Sequence, residues 1–272
     1  MSNRLSRLAA VVVAAAAIAA FAGPAAAADT AMVRVLHGSP DAPAVDVYVD
    51  GTKVGAPLAN LKFGDLSSYV PVAAGTHDIK VCATADASVC PIVANGLALT
   101  AGTHYTIAAT NLLASIEAKV ITDAPAPVSD KTQVRVVHFS ADTPAVDVLT
   151  QDGTAKVVDN LSYPDATGYL TLAAGSYDLK VCAHADNQVC PLDPGALDLQ
   201  AGRSYSVFAI GSLSGESLTA AVGVDAIAAP ATDTAVGTEP ASPTTPVALL
   251  LLAMLATSFV GAYRLAARRA TR

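Results

Sequence analysis

Four cysteines fall as Cys82 with Cys90 and Cys182 with Cys190, the same C-x7-C spacing twice. In an exported chain, even pairing of this kind suits one disulfide per pair. A seven-residue excursion can turn back and bring two Cα atoms within the about 4.4–6.8 Å that a disulfide spans. Closing such a loop is worth roughly 2.5 kcal/mol on the chain-entropy estimate. Metal ligation is the alternative, because His184 lies between Cys182 and Cys190. Zinc sites favour shorter Cys spacing and four ligands, and Thr84 stands where the second pair has His184, so the reading is two staples and no metal. His37 and His138 are each followed four residues later by an acid, Asp41 or Asp142, and then by Asp46 or Asp147. A His beside carboxylates can act as a general base or bind a metal. Its recurrence at one repeat position argues instead that it orders the following loop by hydrogen bonds. The same four aspartates are the candidates for a calcium site, but no D-x-D-x-D-G loop is present, and turn capping accounts for them. Neither G-x-S-x-G nor H-E-x-x-H occurs, so no catalytic residues and no cofactor are assigned and the chain is read as a non-enzyme.

Those residues sit in a chain of 272 with 53 % hydrophobic residues and a formal net charge of −7. The acidic balance and the lack of clustered Lys and Arg exclude nucleic acid as a partner. Much of the hydrophobicity lies at the ends. Residues 1–28 carry Arg4 and Arg7, an uncharged apolar run and Ala26-Ala27-Ala28, the pattern of a signal peptide cleaved after Ala28. Residues 247–263 are uncharged, and if Arg264 snorkels the helix continues to Ala267. That gives 21 residues, about 31 Å of helix, enough to cross a bilayer. The tail at 268–272 is basic, so the segment is predicted to be a single-pass anchor, with the body outside the cell and the C-terminus cytoplasmic. The Ala/Thr/Pro-rich residues 226–246 read as a stalk. Without the 6 basic residues of the two ends, 10 remain against 23 acids, so the exported body is near −13.

The body is a duplication. Residues 33–47 return as 134–148 with 11 of 15 positions identical, and residues 73–91 return as 173–191 with 13 of 19. The copies are 29–123 and 132–225, joined by a linker at 124–131 that contains two prolines. Within a copy the apolar period is two: Val33, Val35 and His37 alternate with Arg34 and Leu36, as half-buried strands do. Asp50-Gly51 and Asp152-Gly153 supply hairpin turns. Further strands are predicted near 58–63, 68–73, 77–84, 96–99, 105–110 and 116–121, with equivalents in copy two. Seven or eight short strands per copy predict an all-β fold of two tandem immunoglobulin-like antiparallel β-sandwiches, each melting by itself. Tyr105 and Tyr205, each after a Gly turn at a strand entry, match a tyrosine corner or a tyrosine simply packed there.

The run from His37 to Gly51, with Phe63-Gly-Asp65, Tyr69, Ala74-Gly75 and Ala101-Gly102, resembles a bacterial exported repeat family, domain of unknown function 4397. The resemblance covers nearly all of 31–123 and, with substitutions such as Phe139 and Ala141, residues 132–225. It implies an exported β-sandwich module and brings no catalytic residue or ligand. The expected role is a membrane-anchored surface protein with two binding or spacer modules, its partner an envelope glycan or a surface protein. A structural envelope component is the alternative, and a hydrolase of exported polymers is the third. Trp is absent, so a carbohydrate-stacking platform would draw on Tyr48, Tyr69 or Tyr169.

Overall fold

A computed structural model describes residues 29–125 and 130–227. The predicted signal peptide, anchor and tail, and the stalk beyond residue 227, lie outside the described residues. Among the described residues no helix is long and apolar enough to cross a membrane.

Copy one comprises β1 (Thr30–His37), β2 (Val45–Val49), β3 (Thr52–Lys53), β4 (Val70–Ala73), β5 (Gly75–Ala83), β6 (Ile92–Leu99), β7 (His104–Thr110) and β8 (Glu117–Asp123). A single 3-10 turn at Leu113–Ser115 precedes β8. The strands form two four-stranded sheets, ordered β4-β1-β7-β8 and β3-β2-β5-β6. Copy two repeats the plan with β9 (Lys131–His138), β10 (Val146–Thr150), β11 (Lys156–Leu161), β12 (Leu170–Ala173), β13 (Gly175–Ala183), β14 (Ala196–Leu199), β15 (Arg203–Ile210) and β16 (Thr219–Ile227). Its sheets run β12-β9-β15-β16 and β11-β10-β13-β14. The fold is therefore all-β, two sandwiches in tandem. The pairing is not wholly antiparallel, because β1 lies parallel to β7 and β9 to β15. The strand β16 also runs two residues past the predicted end of copy two.

Alternation explains the core of copy one. Val33 and Val35 of β1, Val47 of β2, Ile79 and Val81 of β5 and Ile107 of β7 all point between the sheets and form one buried cluster. Burying each such side chain contributes about 1.5–3 kcal/mol. At the tip of the first hairpin Asp50 and Gly51 take φ of 50° and 78°, the left-handed pair that a tight type I′ turn requires. In copy two an extra residue changes the turn: the Gly153 N–H donates to the Thr150 carbonyl at 2.7 Å. The predicted strand at 58–63 is a loop, tied to β2 by the Leu61 bridge to Val45 and by the Val47 N–H donating to the Leu58 carbonyl at 3.1 Å. Within it Asn60 takes φ of 56° and donates its N–H to the Asp46 carboxylate at 2.8 Å; in copy two the same segment, with Asn160 at φ of 53°, pairs with β10 as β11.

The expectation of half-buried strands fails for β1 and β9. Arg34 is 2 % exposed and Leu36 fully buried, because the outer face of the β1–β7 sheet packs against the outer face of the β9–β15 sheet. Leu36 and Ala108 meet Val137, Phe139, Phe208 and Ile210 in an apolar cluster shared by the copies. Gly223 sits at a close approach: a Cβ there would come within 2.4 Å of Leu66 and 2.5 Å of Arg34. Both copies belong to one compact unit, and the described residues of 29–227 form one body that holds the core clusters.

The two sandwiches point the same way. Asn111 and Leu112 of copy one line one crevice with Asp142, Gly211 and Ser212 of copy two. At the opposite end Gly102 and Asp123 meet Asp225 and Ala226. The β1–β2, β5–β6 and β7–β8 loops and their equivalents thus share one end of the body, and β16 leaves from the other.

Candidate functional site

The loop end collects most of the residues singled out from sequence. The His37 Nε2–H donates to the Pro43 carbonyl at 3.0 Å, and His138 repeats the bond to Pro144 at 3.2 Å. The imidazole thus ties the end of β1 or β9 across the loop that follows it. In copy two Nδ1 also accepts the Ser140 N–H at 3.4 Å, whereas Nδ1 of His37 is buried without a partner. Burial holds the His138 imidazole below its ordinary value of 6.5, outweighing the carbonyls of Pro144 and Thr143. A folded-state value below the unfolded one means that the unfolded chain binds the proton more tightly. The stability His138 contributes is full above pH about 6.5 and is lost as pH falls toward its folded value. Thermal midpoints between pH 7.5 and 5 are expected to fall in the wild type, and less in His138→Gln. An identical slope in the variant would remove His138 as the cause. His77, raised by its bond to Asp50, titrates with the opposite sign in both proteins.

The four aspartates do not form one ligand set. Asp41 accepts the Leu113 N–H at 2.7 Å. Asp142 accepts the N–H groups of Leu213 and Ser214 at 2.9 and 3.0 Å and the hydroxyls of Ser212 and Ser214 at 2.7 Å. Burial pushes the Asp142 carboxyl up, but these donors together hold it well below the usual carboxylate range. This pair binds the β1–β2 type loop to the β7–β8 type loop.

Asp46 and Asp147 face elsewhere, into the segment after β2 and β10. Asp46 takes the Lys53 ammonium at 2.6 Å and the Asn60 N–H at 2.8 Å. Asp147 takes Lys156 at 2.6 Å, the Asn160 N–H at 2.8 Å and His184 Nδ1 at 2.8 Å. Asp147, Asp159 and His184 bring donor atoms within 4.8 Å of one another, a spacing compatible with a cation. Lys156 lies between them, 2.6 Å from Asp147 and 2.7 Å from Asp159, so the chain supplies its own positive charge there. Cysteine ligation beside His184 does not arise, because the Cys82–Cys90 and Cys182–Cys190 sulfurs lie at disulfide distance, 1.97 and 1.94 Å. Their Cα atoms are 3.9 and 3.8 Å apart, closer than the span expected from sequence. In each loop the Ala83 or Ala183 N–H donates to the Val89 or Val189 carbonyl at 2.8 Å and closes the base.

The tyrosines divide. Tyr105 and Tyr205 accept the N–H of Thr100 and Gln200, five residues upstream, at 3.2 Å, the bond a tyrosine corner makes. Tyr69 and Tyr169 do not offer a stacking platform. Their rings lie against Arg34 and Arg135, 4.7 and 4.9 Å from the guanidinium carbons, in cation–π contact. Their hydroxyls donate to Asp123 and Asp225 at 2.5 and 2.7 Å. Burial first, and the carboxylates second, hold both phenols far above their ordinary value.

Those contacts belong to a network missed from sequence. Arg34 of copy one donates Nη2 to Asp225 of copy two at 2.5 Å, Nη1 to the Val224 carbonyl at 3.2 Å and Nε to Thr106 at 2.7 Å. Arg135 of copy two answers with Nη2 to Asp123 of copy one, Nη1 to the Thr122 carbonyl at 2.9 Å and Nε to Ser206 at 2.7 Å. Thr106 and Ser206 pass a hydroxyl hydrogen to Asp123 and Asp225, each at 2.6 Å. Arg34, Arg135, Asp123, Asp225, Thr106 and Ser206 are all buried and partnered, the condition under which a buried ionic network holds its geometry. Tyr163 of copy two adds a bond to Glu117 of copy one at 2.5 Å, and burial together with that carboxylate pushes its phenol up to about 12. The available signal was recurrence: an Arg centred in an apolar strand, an acid at a strand end and a Tyr before a strand, all present twice.

Two β-sandwiches with two short-loop cysteine pairs, joined face to face by reciprocal ion pairs, define a tandem all-β module. The chain belongs to the family described as Domain of unknown function (DUF4397), whose model matches residues 31–149 and 149–247. The join falls inside β10, so the matched units do not coincide with the two sandwiches. No curated protein matches. Among solved structures the chain is similar to a leucine-rich repeat protein from Bacteroides thetaiotaomicron VPI-5482, with 11 % identity over 68 % of this chain and a TM-score of 0.17. It spans 26 % of that protein's length, and a TM-score of that size supports no argument about fold or function.

Proposed function

We propose that the chain is an exported surface protein, held by a single-pass C-terminal anchor with its body outside the cell and its tail cytoplasmic. Its two immunoglobulin-like sandwiches act as one rigid, non-catalytic binding or spacer unit. The observation that carries this is the reciprocal Arg34–Asp225 and Arg135–Asp123 network, which commits four buried charges to holding the copies together. Membership of a family of unknown function with two all-β domains fits such a module, and cysteine pairs at disulfide distance suit an oxidising compartment.

Binding is favoured over pure spacing by the loop end. Val89, Leu112 and Leu113 of copy one and Val189 and Leu213 of copy two are exposed there, opposite the end from which β16 leaves. Exposed apolar side chains gathered at one end of the body favour an interaction surface there. An envelope glycan or a surface protein is the partner class that such an outward face would meet.

The test deletes residues 247–272 and follows the body. Release into the medium, with the full chain retained on cells after a high-salt wash, is the expected result; retention of the truncated protein overturns the anchor. The released body is then offered to isolated envelope fractions. Saturable binding that weakens at least tenfold in Leu112→Ser/Leu113→Ser/Leu213→Ser supports a binding face, and no binding leaves the spacer and the structural envelope component as the better readings.

A further inference from the structure

The cores of the two copies differ. In copy one the buried side chains between the sheets make a single cluster. In copy two they divide into one cluster around Val136, Val148, Val158 and Val181 and another around Val134, Leu199, Tyr205 and Val207. Between them lies a cavity of about 120 Å³.

Its walls come from both sheets: Val134 and Val207 on one side, Val148, Leu179 and Leu197 on the other. The side chains explain the space. Among the lining residues Val207 is one methylene shorter than Ile107 of copy one, Thr150 stands where copy one has Val49, and Leu179 replaces Ile79. Ile79 is 2 % exposed, whereas Leu179 is half-buried, as are Leu170, Leu172 and Leu197 at the rim. The cavity therefore reaches the surface.

Water is a poor occupant. A buried water needs two to four polar partners. The Tyr177 hydroxyl beside the cavity already donates to the Ala173 carbonyl at 2.8 Å and the Thr150 hydroxyl to the Asp152 carboxylate at 2.5 Å, and the other lining side chains are aliphatic. An apolar cavity of about 150 Å³ stays dry and accepts a small hydrocarbon. Here the space is a slot between two facing sheets, whose backbones stand about 10 Å apart, and it is open at one edge. That shape admits a narrow chain end-on, with any polar head left outside.

We propose that the core of copy two is a binding site for the end of an unbranched alkyl chain, as carried by a fatty acid or other single-chain amphiphile. The site is separate from the loop-end face, and its test does not depend on that face or on the anchor.

Methyl-labelled residues 29–227 are titrated with sodium octanoate below its micellar concentration and followed by NMR. Saturable shifts are expected at the methyls of Val134, Val148, Leu179, Leu197 and Val207, while those of Val33, Val47, Ile79 and Ile107 in copy one stay in place. Val207→Phe, which fills the slot, is expected to weaken binding at least tenfold. Val148→Ile/Val207→Ile, which adds one methylene to each wall, serves if Phe is not accommodated, with an expected loss of at least threefold. A parallel titration with benzene separates a chain site from a compact hydrocarbon cavity. The proposal is overturned by shifts that do not saturate, by equal shifts in copy one, by benzene binding without octanoate binding, or by unchanged affinity in a folded filled variant.

Discussion

Replacing Asp225 with alanine is expected to destabilise both copies at once, by about 3–5 kcal/mol, although the residue belongs to copy two alone. Asp225 Oδ1 receives Arg34 from copy one, and Oδ2 receives Tyr169 and Ser206 from its own copy. Without the carboxylate, a guanidinium that is 2 % exposed loses its nearest charged partner and keeps only the Thr106 hydroxyl, one carbonyl and, 3.6 Å away, the Asp123 carboxylate that already serves Arg135. Breaking one side of a buried pair costs far more than removing the pair, so Arg34→Met/Asp225→Leu is expected to recover most of the loss. Denaturant unfolding gives the magnitude. Amide exchange in β1 and β9 shows whether both copies loosen. A cost below about 1 kcal/mol, or faster exchange in copy two only, would show that the network does not couple them.

Removing Cys82 and Cys90 together as serines is expected to cost roughly 2.5 kcal/mol on the loop-entropy estimate. Read from sequence, such a loss falls on one copy and leaves the melting of the other unchanged. The shared face changes that expectation: β1 of copy one holds Val137, Phe139 and Phe208 of copy two in one buried cluster. The melting of the whole body should therefore move as one transition. Two separated transitions in the variant, with copy two at its original midpoint, would restore the independent picture. Peptide mapping without reduction checks the pairing itself, since a peptide joining Cys82 or Cys90 to Cys182 or Cys190 would contradict it.

How much could be read from the sequence differs by face. Inward faces were legible, because period-two alternation at Val33, Val35, Val45 and Val47 has one physical meaning in a strand. Local closures were legible too: C-x7-C needs only a loop that turns back, and Tyr105 five residues after Thr100 needs only a turn. The outward faces of β1 and β9 were not. Arg34 between two valines is the pattern of a side chain in water, and an arginine buried against another copy leaves the same pattern. Asp123 and Asp225 read as turn or linker residues because acids at strand ends usually are, and only the partner across the interface gives them another role. The fate of residues 58–63 was not legible either, since the equivalent segment of copy two, with the same left-handed conformation at Asn160, does pair as β11. The cavity of copy two was invisible because it goes with small changes at positions far apart in the chain, Thr150 for Val49, Leu179 for Ile79 and Val207 for Ile107.

The reciprocal network has a consequence for how the repeat came to work as a unit. Arg34 and Asp123 lie in the same copy, as do Arg135 and Asp225, and each arginine reaches across to the acid of the other. Each copy therefore carries both halves of a self-complementary surface, the arrangement of an isologous homodimer. The chain is a dimer interface closed within one polypeptide, its two subunits joined by the seven residues between Asp123 and Lys131. For separate subunits such an association weakens on dilution. Tethering replaces subunit concentration with an effective concentration set by the linker, so the pairing holds even where the protein is sparse.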